Sequence, residues 1–376
     1  MNGYLRTFPK KSKYERIPTA AKIIYALTAL TAILHITAAL SESFADFFNL
    51  YISSAARFLL EKATELIPFS FAEFLLLSLP IWIFMLIRHA IKHHCDSGKA
   101  FVSYLASLGA LLCVFYILFF WVYGVGYSST SLDKKLSLER DAVSTDELRD
   151  TAEILVEKTN EEAENVLFRE KNFSVMPYDI DTLSVKLCEA YKSFSSKNKN
   201  IVSSLNSRLK PVMLSEAMSY THITGIYSYF TGEANINVAF PDYTIPYTAA
   251  HEMAHQRSIA RENEANFVAF LVCLESDDGY IRYSAYLNML EYVLNALYSA
   301  DKEAYSEIVK QVSLPVRYEM AAYSKFFDKY RDSAASEISG AINDTYLKLN
   351  GNVGEKSYGM VVDLTVAYYK IDENRK

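Results

Sequence analysis

Two histidines four residues apart, with a glutamate beside the first, form the pattern His251-Glu252-Met253-Ala254-His255 in a segment free of glycine and proline. On a helix, positions i and i+4 share a face, so both imidazoles can converge on one zinc ion. Glu252 follows the first histidine and can reach a water at the metal without ligating it. The chemistry needs that division: neutral imidazoles hold Zn2+, zinc lowers the pKa of water toward about 7, and the carboxylate takes the proton and later delivers it to a leaving amine. The plain alternative is an exposed polar helix that binds no metal.

A catalytic zinc site takes a third protein ligand and keeps one position open for water. Residues 256–270, QRSIARENEANFVAF, offer Glu262 and Glu264, seven and nine residues after His255. A turn near Ser258-Ile259-Ala260 would return the start of a second helix to the metal, and only one of two glutamates spaced two apart can then face it. Glu262 is preferred because Asn266 is its i+4 partner and can hydrogen-bond a ligand histidine. Glu264 is the runner-up; its i+4 position is Val268, and it otherwise reads as a capping or solvated charge. A tetrahedral oxyanion also needs an electrophilic stabiliser. His222 and Tyr358 are candidates by residue type alone.

The stretch TGEANINVAFPDYTIPYTAAHEMAHQRSIARENEANFVAF resembles the signature of a bacterial family of membrane proteins of unknown function, with three N-terminal spans and an external HExxH domain. It is similar in logic to the gluzincin zinc peptidases, where a glutamate opening a second helix is the third ligand and an Asp or Asn four residues later orients a histidine. The resemblance places those roles on Glu262 and Asn266 and implies a zincin-like fold, zinc as cofactor and a peptide or protein substrate. Its specific part is residues 222–271. One departure lies in the turn: such families often have glycine three residues after the second histidine, and this chain has Ser258, which leaves the turn geometry open. In the resembling peptidases a strand before the metal helix pairs with an extended substrate. Residues 233–240, EANINVAF, are the candidate edge, with an ordinary internal strand as the alternative.

The elements that must position these residues read as mainly helical. Apolar spacing predicts helices over residues 145–168, 182–205, 280–312 and 317–348, and strand signal is concentrated in residues 222–244. Pro246 fits a break between strand and metal helix, with Thr248 as a cap. The expected fold class is mainly α: a three-helix transmembrane anchor, then a predominantly helical zincin-like α+β domain with a short sheet beside the HExxH helix.

Residues 23–40, 67–87 and 101–123 are apolar runs that approach or exceed the roughly 20 residues needed to cross a bilayer as helices. The second carries Glu73 and Pro80, so Glu73 should sit near an end or face another helix. The flanks set an orientation. The tail (residues 1–22) has Arg6, Lys10, Lys11, Lys13, Arg16 and Lys22 against Glu15, and the loop after the second run has Arg88, Lys92 and Lys99 against Asp96. Both belong in the cytoplasm by the positive-inside rule, which puts the intervening loop and residues 125–376 outside the cytoplasmic membrane. A secretory signal ending near Thr37-Ala38-Ala39 is the alternative for the first run. Residues 44–60 read as an amphipathic helix that lies in the interface or packs on the external domain.

Residues 1–124 carry a net +4 and the remaining 252 a net −10. An acidic majority segment has no footprint for nucleic acid, whose binding rests on phosphate neutralisation. Cys95, Cys113, Cys188 and Cys273 form no CxxC pair; Cys188 and Cys273 could pair only if the fold joins them. The expectation is a membrane-anchored zinc metallopeptidase, a hydrolase with Glu252 as general base. The alternative is a non-catalytic receptor or assembly scaffold keeping a structural or vestigial metal site. Cleavage within the bilayer is disfavoured, because HExxH lies more than a hundred residues past the last span.

Overall fold

Three of the apolar runs fold as long helices: α1 (Thr19–Leu40), α4 (Phe71–His93) and α5 (Gly98–Val122), with mean hydropathy 2.0, 2.0 and 2.4 over their most apolar windows. At 1.5 Å per residue each exceeds about 30 Å, the thickness of a hydrocarbon core. Helix α4 has no buried residue and presents Leu76, Ile81, Phe84 and Ile91 outward. Such a surface calls for an apolar solvent, and the three candidate spans point to a membrane protein. The computed structural model describes residues 13–95, 97–139, 143–169, 173–203, 205–331, 333–349 and 357–373, without the side chains of residues 13, 342–349, 357, 358 and 371–373.

The second apolar helix starts later than its composition indicates. Ser70 caps it, its Oγ accepting the Glu73 N–H at 3.0 Å, so Ile67, Pro68 and Phe69 remain outside. Glu73 lies in the first turn and accepts the N–H groups of Met213 and Leu214, both at 2.8 Å. Residues 44–60 fall in α2 (Glu42–Phe47), a π-helical turn (Phe48–Ser53) and α3 (Ser54–Glu65). Of the two placements expected for this segment, it packs on later parts of the chain, through buried Asn49 and Arg57.

After α5 come α6 (Leu132–Leu136), α7 (Thr145–Ala163), α8 (Ile180–Lys197), β1 (Lys210–Pro211), α9 (Ser215–Ser219), β2 (Gly225–Ser228), β3 (Glu233–Ile236), α10 (Thr244–Gln256) and α11 (Glu262–Leu274). The chain closes with α12 (Gly279–Ala300), α13 (Lys302–Gln311), α14 (Leu314–Phe327), α15 (Ala334–Leu349) and α16 (Ser357–Glu373). Helix α12 sits centrally, against α7, α10, α11 and α16. Phe267, Phe270, Leu287, Leu290 and Val293 are fully buried there, each contributing about 1.5–3 kcal/mol of apolar burial.

Two expected helices are each broken in two. Asp301 is extended, and its carboxylate accepts the Glu303 and Ala304 N–H groups, ending α12 and starting α13. The 317–348 segment likewise divides between α14 and α15. The sheet has the order β1-β3-β2, with β1 parallel and β2 antiparallel to β3. The 233–240 edge assignment is therefore corrected: β3 is the central strand, because Lys210 and Pro211 pair along its other side, and among the described residues β2 is an edge. Pro246 lies inside the first turn of α10, where its missing N–H has no partner to lose, and Thr248 is not the cap. All four cysteines are free.

Candidate metal centre

Helix α10 is buried along almost its whole length, with Met253 and Ala254 wholly inaccessible. Arg257 ends it. The guanidinium is itself fully buried, stacks on Tyr191 at 4.2 Å and donates to Met253 O, Leu205 O and Ser207 Oγ. Ser258 then takes φ +100°, a backbone conformation that favours glycine. Arg57 Nη2 donates to Ser258 Oγ at 2.5 Å and Asn49 Nδ2 to Ser258 O at 3.0 Å. These bonds from the α2–α3 segment hold a turn that the side chain itself disfavours. Gly126 fits beneath it: a Cβ there would meet Ala260 Cβ at 2.9 Å and Ser258 O at 3.0 Å. The chain reverses and α11 opens on Glu262, whose negative charge suits a helix N-terminus.

The reversal brings His251, His255 and Glu262 together, with one ligand atom from each lying within 4.8 Å of the others. The Nε2 atoms are 3.0 Å apart, and Glu262 Oε2 and Oε1 stand 3.2 Å from His251 Nε2 and 3.5 Å from His255 Nε2. Three ligands each about 2.0–2.2 Å from a tetrahedral zinc would be about 3.3 Å apart, so the triangle fits that ion. Its electrostatics fit as well. Burial works to raise the Glu262 pKa, yet the two imidazoles hold its carboxyl well below the usual range. Burial works to lower His255, and Glu262 beside it lifts it to about 9. A divalent cation would take the place of those protons.

His255 Nδ1 lies 2.7 Å from Ile259 O and 3.0 Å from the Tyr123 hydroxyl, whose own hydrogen goes to Ala260 O at 3.1 Å. In the neutral imidazole these partners hold the proton on Nδ1 and turn the Nε2 lone pair toward the cluster. Tyr123 is the residue that ends α5.

Glu252 is buried, and burial pushes its pKa up against the pull of His251 and His255. Gly225 on β2 makes room for it: a Cβ there would lie 2.7 Å from both Cγ and Oε1 of Glu252. The ladder bond Asn237 N to Thr224 O means that even-numbered residues of β2 pair with β3, so Gly225 and Tyr227 turn their backbone groups to the open edge. The Tyr227 N–H accordingly reaches the Glu252 carboxylate. The edge of the sheet and the Glu252 carboxylate therefore face each other.

The other sequence candidates lie elsewhere. Glu264 accepts from Arg261 Nη1 at 2.8 Å and from Leu132 N, at the start of α6, at 3.0 Å; it caps that helix. Asn266 is buried with its side-chain oxygen 3.5 Å from the Tyr247 hydroxyl, and among the described residues it makes no bond to either histidine. The backbone carbonyl of Ile259 takes the role expected of it. His222, in a left-handed turn, has its Nε2 2.7 Å from Tyr330 O. Tyr358 is the second residue of α16, and its side chain lies outside the described residues. Sequence reasoning missed Tyr123, Arg57, Asn49 and Gly225.

Fold and site together define a mainly helical protein with three candidate membrane spans and a two-histidine, one-glutamate cluster able to hold a metal ion. The chain belongs to the family described as "Protein of unknown function (DUF3810)", whose model matches residues 45–366. That range takes in α4, α5 and the whole cluster. No curated protein and no solved structure matches the chain.

Proposed function

We propose that the protein is a membrane-anchored, gluzincin-like zinc metallopeptidase that hydrolyses peptide bonds outside the cytoplasmic membrane. The single observation that carries this reading is the position of Glu252, a buried carboxylate set between the His251–His255–Glu262 triangle and the open edge of β2. His251, His255 and Glu262 would hold the metal, which when bound supplies Lewis acidity and lowers the pKa of water toward about 7. Glu252, raised by burial, takes a proton from the attacking water and returns it to the amine as the C–N bond breaks, leaving a carboxylate and an amine. The outward-turned backbone groups of Gly225 and the Tyr227 carbonyl suit an extended peptide added as a further strand. Glu264 is committed to Arg261 and Leu132, which counts against a closed four-ligand structural site. The basic tail and the Arg88–Lys99 loop support the external placement of the site.

The full-length protein in detergent, loaded with zinc and given a degenerate peptide library, tests the reading. Wild type should cleave the library, while Glu252→Gln should keep its zinc and lose turnover. Equal cleavage by both would remove Glu252 from the base role, and a zinc-loaded wild type that cleaves nothing would sink the reading.

A further inference from the structure

The metal cluster is tied to the ends of two spans, and those ties fix its height. Tyr123 ends α5 and touches His255. The sheet is seated on the start of α4: the Glu233 carboxylate accepts the Phe71 and Ala72 N–H groups at 3.0 and 2.8 Å, and Ser70 Oγ donates to Asn235 Oδ1 at 2.6 Å. The β2–β3 turn runs back along α5, with Tyr229 against Phe119 at 5.4 Å and Phe230 against Phe115 at 5.2 Å between ring centroids.

Counting from Phe101, the first large apolar residue of α5, Tyr123 lies about 33 Å up the helix and Phe115 about 21 Å, against a hydrocarbon core of about 30 Å. For an upright span, His255 then stands at the headgroup level and Phe230 about 9 Å below the surface, the depth at which interfacial side chains insert. Apolar residues exposed around the same end of the molecule agree with that depth: Ile226 on β2, Phe230, Leu66, Phe69 and Met213. Edge strand β2 therefore leads from Glu252 directly down into lipid.

Resting on the peptidase reading above, we propose that this centre works at the outer bilayer surface, on extended juxtamembrane segments of proteins anchored in the same membrane. A chain paired with β2 has one end at the base and the other at the hydrocarbon boundary. Such an end is natural for an anchored substrate and costly for a soluble one, whose polar backbone would have to approach lipid.

The test uses the full-length, zinc-loaded protein in phosphatidylcholine vesicles. One degenerate peptide library is presented in three forms: free, joined directly to a synthetic transmembrane helix, and joined through a fifteen-residue Gly/Ser spacer. The directly joined form should be cut at least about tenfold faster than the other two, within roughly six residues of the helix. Equal rates for free and anchored forms would overturn the proposal and leave the peptidase reading standing, whereas no cleavage of any form would overturn both. Depth is measured separately: the additional emission of Phe230→Trp should be quenched by lipids brominated on their acyl chains. If it is not quenched, the proposed height is wrong whatever the activity.

Discussion

The hydroxyl of Tyr123, the residue that closes the third apolar helix, lies 3.0 Å from Nδ1 of His255, on the opposite side of that imidazole from the Glu262 carboxylate. A candidate membrane span thus supplies a hydrogen-bonding partner to a candidate metal ligand. Tyr123→Phe keeps the ring and its packing against Tyr227 and removes only the hydroxyl. Ile259 O still orients the histidine, so the loss should fall at the low end of the range for such partners: about tenfold weaker zinc binding, read by chelator competition. Unchanged affinity would show that Tyr123 only packs.

Arg57 donates to Asn49 Oδ1, Asn49 O, Val122 O and Ser258 Oγ while fully buried, and burial lowers its pKa to about 10. Arg57→Met fills much of the same volume but strands those acceptors. We expect a loss of about 3 kcal/mol, seen as a lower thermal midpoint of the full-length protein in detergent, together with reduced zinc occupancy. A variant with wild-type midpoint and occupancy would show that the turn needs no support from α3.

Ser258 separates strain from hydrogen bonding. Ser258→Ala keeps a side chain at φ +100° and loses the bond to Arg57, whereas Ser258→Gly loses the same bond and relieves the backbone. Relief of about 1–2 kcal/mol, less the entropy glycine adds to the unfolded chain, should leave the glycine variant about 1 kcal/mol more stable than the alanine variant in thermal unfolding. The opposite order would refute the strained-turn assignment.

Gly225→Ala puts a methyl group 2.7 Å from Glu252 Cγ and Oε1. Because Glu252 must move while the histidines and Glu262 need not, kcat on the peptide library should fall at least about 100-fold with zinc content unchanged. A parallel loss of zinc would instead mean that β2 supports the whole cluster.

The candidate metal cluster was legible because its pattern is local: an i,i+4 histidine pair, a short turn and a glutamate opening the next helix all lie within twelve residues. Ser258 stood out as a departure, but its consequence was hidden, since the compensating Arg57 lies 201 positions away. Tyr123 was one of 28 tyrosines and acquires its role only through tertiary contact. The sheet edge was misassigned because β1 is two residues long and has no alternation to detect. Continuous apolar spacing concealed the break at Asp301, although a capping aspartate two residues before Glu303 was there to be read. Asn266 failed for a different reason: a backbone carbonyl, which no side-chain pattern reveals, reached the histidine first.

The central claim is that His251, His255 and Glu262 hold one zinc ion and Glu264 does not. Metal analysis of the full-length protein, alongside Glu262→Gln and Glu264→Gln, tests it most directly. About one zinc per chain in wild type and Glu264→Gln, with occupancy largely lost in Glu262→Gln, is the predicted result. A wild type without zinc, or a Glu262→Gln variant that retains it while Glu264→Gln does not, would contradict the account.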